Sequence, residues 1–149
     1  MRGSTGVQRS KLLEQTAVGR GIPLVYLFGS QANAGSSYLA REDLGPADAL
    51  ADLDVGVRLR DYDRFTPIER ARFYGDLHGE FQDLFKPSQV DLVLLDETHS
   101  VFQSEALCSH CIYAVSDAVR EAYEIRVLTR AADFRPTLHA FYKERLEDV

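Results

Sequence analysis

Three short stretches of this chain carry residue types that could do chemistry on a phosphate. Phe28-Gly29-Ser30 closes an apolar run with a glycine–serine turn. Asp52-Leu53-Asp54 sets two carboxylates at i and i+2, and Asp91 stands near the start of another apolar run, Val90-Asp91-Leu92-Val93-Leu94-Leu95. After a strand, Gly29 lets the backbone turn with no Cβ in the way. The amides that open the next helix then point at an anion, and the Ser30 hydroxyl adds a donor. On a strand, residues i and i+2 project from one face, so Asp52 and Asp54 meet and repel unless a cation lies between them. Magnesium suits such a pair, because it takes oxygen ligands and completes its shell with water or phosphate oxygens. If its strand lies beside the first, Asp91 can join the cluster and help deprotonate an attacking hydroxyl.

Each part also has a plainer use. Ser30 could be a helix N-cap after a turn glycine. Asp52 and Asp54 could be the solvated face of an amphipathic strand, and Asp91 its exposed first residue. Aspartate is nevertheless a poor strand former, and a carboxylate inside an apolar strand is costly unless paired or metal-bound.

The elements that must position these residues are readable from pattern. Residues 8–20 predict a first helix with Leu12, Leu13 and Val18 available to the core, closed by Gly19 to Pro23. Leu24-Val25-Tyr26-Leu27-Phe28 is a continuous apolar run, as in a strand buried on both faces. A short helix starts near Ser30-Gln31-Ala32-Asn33, and residues 35–51 read as a surface loop or lid. Leu53, Val55, Val57 and Leu59 alternate with Asp54, Gly56 and Arg58, a period of two that predicts a strand over 52–59. Thr66 and Glu69 match a capping box with Pro67 at the first helical position, and Phe73, Leu77, Phe81 and Leu84 follow as one stripe before Pro87. After the strand at 90–95, the pattern predicts helices near 102–115, 117–131 and beyond Pro136. The order α, β, short α, β, α, β, α gives an α/β (α+β) class, a small mixed β-sheet packed by helices with a helical C-terminal tail. No linker or repeat divides residues 1–149, so one domain is expected, its segment 97–149 helical.

Composition narrows the function classes. The chain has 149 residues, 45% of them hydrophobic, enough for a core. Its formal net charge of −6 argues against a long nucleic-acid footprint. No apolar run reaches a membrane span, and Met1 to Gly6 lacks the apolar centre of a signal peptide and reads as a disordered lead through residue 7. A cytoplasmic protein is the expectation. Cys108 and Cys111 lack the second pair that a zinc site needs. With Leu107, Ile112 and Val115 they fall on one helix face, so packing is expected of them rather than metal or redox chemistry.

Strand, Gly29-Ser30, helix, Asp52-x-Asp54 on a strand, helix, then Asp91 on a strand resembles the polymerase-beta-like nucleotidyltransferase superfamily in its small form, the minimal nucleotidyltransferases. The similar stretch runs from Leu24 to about Leu95. The segment from Tyr123 through Phe134-Arg135-Pro136 to Leu146 is similar, more loosely, to the tail of members that serve as antitoxins against HEPN-domain toxins. The resemblance implies a nucleotidyltransferase-like fold and transfer of a nucleoside monophosphate with pyrophosphate leaving. In the antitoxin branch, AMP from ATP goes to a tyrosine hydroxyl of the toxin, which makes a hetero-oligomer with that partner an expectation. It further implies that Gly29 and Ser30 hold the triphosphate, that Asp52, Asp54 and Asp91 bind two Mg²⁺ ions, and that Asp91 acts as base.

Three departures accompany the resemblance: Gln31 where many relatives carry a long basic residue, a longer segment between Ser30 and Asp52, and Ala51 in place of serine. Three other functions compete: an antitoxin that neutralises by binding alone, a transferase for a small hydroxylated molecule of the aminoglycoside type, and a phosphate-binding fold with no transfer activity. Phe134, Leu138, Phe141 and Tyr142 could contact a partner, but core packing is the expectation for them.

Overall fold

In the computed structural model, residues 5–40, 52–86 and 88–147 are described. Helix α1 (Thr5–Arg20) leads into strand β1 (Leu24–Phe28), which turns at Gly29 into helix α2 (Ala32–Ala40). Strand β2 (Leu53–Arg58) is followed by helix α3 (Pro67–Leu84) and strand β3 (Val90–Leu94). Helix α4 (Ser100–Leu107), strand β4 (His110–Ala114) and helix α5 (Asp117–Glu147) complete the chain. The mixed sheet has the order β3-β2-β1-β4, with β1 antiparallel to β2 and β4, and β2 parallel to β3.

Strand alternation divides the core in two. Val25, Leu27, Leu53, Val55 and Val57 point to one face, where they bury Leu13 and Ala17 of α1 and Phe73, Leu77 and Phe81 of α3. Leu24 and Tyr26 point to the other, against Leu95, Ala106, Tyr123 and Val127. Burying each of these large apolar side chains contributes roughly 1.5–3 kcal/mol. The start of α3 is set as its sequence indicates. Thr66 Oγ1 accepts from Glu69 N at 3.2 Å and donates to Glu69 Oε1 at 3.0 Å.

Several expectations are corrected. In α1 the core residues are Leu13 and Ala17, while Leu12 and Val18 are exposed, because i and i+4 share the inward stripe. The helix also starts at Thr5, inside the segment expected to be disordered, and α2 carries order to Ala40 within the expected loop. Residues 41–51 lie outside the described residues, as does Pro87.

Segment 97–149 is not all helical, since His110–Ala114 pairs with β1 as an edge strand. Cys108 and Cys111 therefore share no helix face: Cys108 is exposed at the end of α4, and Cys111 is half-buried on β4. Finally, α5 runs through Pro136 without a break. Proline removes one hydrogen bond and crowds the carbonyl four residues earlier, but Pro136 and Ala132 are both exposed, so this face of the helix is open to solvent that can take up the freed carbonyl. Phe134 and Leu138 are half-buried, whereas Phe141 and Tyr142 are 47% and 57% exposed and are not core.

Candidate active site

The sheet brings the sequence-selected residues to one end. Antiparallel pairing sets Phe28 opposite Asp54, so the Gly29-Ser30 turn lies beside the start of β2. Parallel pairing sets Asp54 in register with Asp91, so both side chains leave the same face of neighbouring strands. Hydrogen bonding of Leu53 N to the Gln89 carbonyl at 2.7 Å locks that register just below the acids.

Gly29 has φ +74°, in the left-handed region that side-chain-bearing residues rarely adopt. A Cβ there would collide with Oδ2 of Asp54. Glycine thus serves twice, making the turn and giving the Asp54 carboxylate its space. The turn passes into α2 through Ala32 N to the Gly29 carbonyl at 3.3 Å and Gly35 N to the Gln31 carbonyl at 2.9 Å. Ser30 is exposed at its tip. Gln31 is buried at 6% exposure and lines a small cavity with Tyr38, Leu53 and Phe85, so position 31 faces the interior.

Half-burial, the charge of Asp91, a hydrogen bond with Asp91 and the charge of Asp52 together hold the Asp54 carboxyl above the ordinary aspartate range. Asp54 and Asp91 stand in register on adjacent strands and act on each other side chain to side chain, whereas Asp52, exposed two residues upstream, acts on Asp54 by its charge. Among the described residues, no three His, Cys, Asp or Glu side chains form a finished metal cage. The donor set nevertheless fits a divalent cation. It is all carboxylate oxygen, and its members repel one another where a cation would neutralise them.

Sequence reasoning missed His110. From β4 it pairs with Leu27 of β1, and its Nε2 lies 2.6 Å from Oδ1 of Asn33 in the first turn of α2. This contact ties the edge strand to the helix that follows the glycine turn. Ser116 was the available signal: its Oγ accepts from Val119 N at 3.1 Å, which caps α5 and so ends β4 before it.

A Gly-Ser turn between strand and helix, an Asp-x-Asp on the adjoining strand and an Asp on the next parallel strand define a nucleotidyltransferase-like α/β fold. No family model matches the chain, and no curated protein matches its sequence. Solved structures do match. One is a complex of a tri-AMPylated HEPN toxin of Shewanella oneidensis with its MNT antitoxin, at 18% identity and TM-score 0.59, covering 98% of this chain and 99% of that one. A MntA–HepT toxin–antitoxin complex with two aspartate-to-glutamate substitutions matches at 14% identity and TM-score 0.63, covering 92% and 98%. A toxin–antitoxin complex with AMP-PNP matches at 16% identity and TM-score 0.61, over the same shares of the two chains. The chain has the fold of these minimal nucleotidyltransferase antitoxins.

Proposed function

We propose that this protein is a magnesium-dependent nucleotidyltransferase that transfers AMP from ATP to a tyrosine hydroxyl of a HEPN-domain toxin, acting as its antitoxin. The observation that carries this reading is the register of Asp54 with Asp91 on two parallel strands, beside a left-handed turn at Gly29 whose missing Cβ leaves room for the Asp54 carboxylate. The fold shared with antitoxin complexes, one with an AMPylated toxin and one with AMP-PNP, supports the choice of partner and nucleotide.

In this reading the amides after Gly29 and the Ser30 hydroxyl bind the triphosphate. Asp52, Asp54 and Asp91 would hold magnesium, which supplies charge neutralisation at the phosphates. The acceptor oxygen attacks the α-phosphorus, the bond from that phosphorus to the bridging oxygen breaks, and pyrophosphate leaves. Asp91 takes the proton from the acceptor hydroxyl. Its strand is anchored for this by α3, where Tyr74 donates to the Leu92 carbonyl at 2.8 Å.

Exposed Phe141, Tyr142 and Leu146 at the end of α5 favour a second reading, neutralisation by binding alone, because they offer an apolar surface to a partner. Toxin co-expression separates the two. Transfer predicts that wild type restores growth and raises the toxin's intact mass by whole AMP increments, and that Asp52→Ala/Asp54→Ala does neither while still folding. Full protection by that double variant would leave binding as the function.

A further inference from the structure

The opposite end of the sheet, where β1 starts and β2 finishes, holds a pocket of about 280 Å³ lined by Pro23, Arg58, Arg60, Val119, Tyr123 and Arg126. The five residues of β1 separate it from the acids, about 17 Å at the usual strand rise. The Arg58 guanidinium lies over the Tyr123 ring, 4.6 Å from its centroid, and that of Arg126 lies 5.9 Å from the same ring. Arg130 adds a further positive charge acting on Arg58.

Among the described residues, none of these four arginines forms a salt bridge, although the chain as a whole is acidic. Asp96 faces Arg58 but already accepts a hydrogen bond from Leu59 N at 2.8 Å. Burial and the charge of Arg126 both weaken the hold of Arg58 on its proton. Tyr123 is 5% exposed, and its hydroxyl has no hydrogen-bond partner among the described residues.

Solvated surface arginines would be the plainer account. A solvated arginine, however, swings its head group into water and away from like charge. Arg58 is half-buried on an aromatic ring with Arg126 beside it, an arrangement that an anion between the two relieves. The other walls are apolar, so a bare inorganic ion would leave them unused.

We infer that this pocket binds a small amphipathic anion, with a phosphate or carboxylate gripped by Arg58, Arg60 and Arg126 and an aromatic or aliphatic body packed on Pro23, Val119 and Tyr123. Guanidinium groups suit either head group, since both accept paired N–H donors. The site is separate from the acid cluster and does not depend on the transfer reaction.

The test is a titration of the ¹⁵N-labelled protein, in EDTA without magnesium, with phenyl phosphate, phenylacetate and inorganic phosphate. The site predicts saturable amide shifts at residues 58–60 and 115–126 with at least one aromatic anion; which one binds more tightly identifies the head group. Inorganic phosphate should bind roughly tenfold more weakly than phenyl phosphate if phosphate is preferred, and Arg60→Gln and Arg126→Gln should each weaken the better aromatic anion by roughly tenfold. Both arginines are exposed, so the variants keep the wild-type amide spectrum elsewhere. Absence of saturable shifts in those segments with both aromatic anions, or unchanged affinity in both variants, would overturn the site. So would phosphate preference with inorganic phosphate binding as tightly as phenyl phosphate.

Discussion

At Gly29 the backbone lies at φ +74°, and the space a Cβ would need is taken by Oδ2 of Asp54. Gly21 has a similar φ of +66° but open space around it. The two glycines separate strain from collision. Gly21→Ala should cost about 1–2 kcal/mol of stability from the left-handed backbone alone. Gly29→Ala should cost more, and should also displace Asp54 and abolish transfer; thermal melts and a transfer assay on both variants check this. Tyr123 supplies a pH prediction. Burial first, then the charge of Asp96, pushes its phenol up to about 12. An unfolded tyrosine ionises near pH ~10. Below that pH both states keep the proton and the stabilisation is fully present. It is lost as pH rises through the window from there to about 12, because only the unfolded chain gives the proton up. Tyr123→Phe removes both this loss and an unpartnered buried hydroxyl, so it should flatten the alkaline decline and raise stability at neutral pH by about 1 kcal/mol. Denaturant melts across alkaline pH measure both effects.

Elements with strong local signals were legible in the sequence. The period of two over β2, the apolar run of β1 and the capping box of α3 each have one physical cause acting over a few neighbouring residues. Strand β4 was not legible. His110-Cys111-Ile112-Tyr113-Ala114 is short and only half-buried, and its helical and extended readings both place apolar residues together. What decides between them is pairing with β1, a contact between residues far apart in the chain. The unbroken α5 was missed for a related reason, since whether Pro136 stops a helix depends on what surrounds the carbonyl it frees. The cysteines report on β4 directly. A single helix face would bury both, whereas the strand leaves Cys108 exposed and Cys111 half-buried, with burial pushing its thiol up. Iodoacetamide on the native protein should modify Cys108 rapidly and Cys111 slowly, as peptide mass mapping of a time course would read; equal rates would contradict the strand assignment.

Across the whole molecule, the sheet separates its chemistry by end, with Asp52, Asp54 and Asp91 at one and Arg58, Arg60 and Arg126 at the other. The acid end was legible because each of its parts stands on or beside a strand with its own pattern. Their meeting was not, because the parallel pairing of β2 with β3 is a long-range choice that no local pattern states. The arginine pocket could not be read at all, since Arg58 and Arg126 come from elements whose approach only packing determines. The central claim is that the acid end transfers a nucleotidyl group. The most direct measurement incubates the protein, magnesium and a HEPN-toxin partner with ATP labelled at either the α- or the γ-phosphate, beside Asp54→Asn. Nucleotidyl transfer predicts label on the partner from α-labelled ATP alone, and none with Asp54→Asn. Label from γ-labelled ATP, or α-label that survives in Asp54→Asn, would contradict the account.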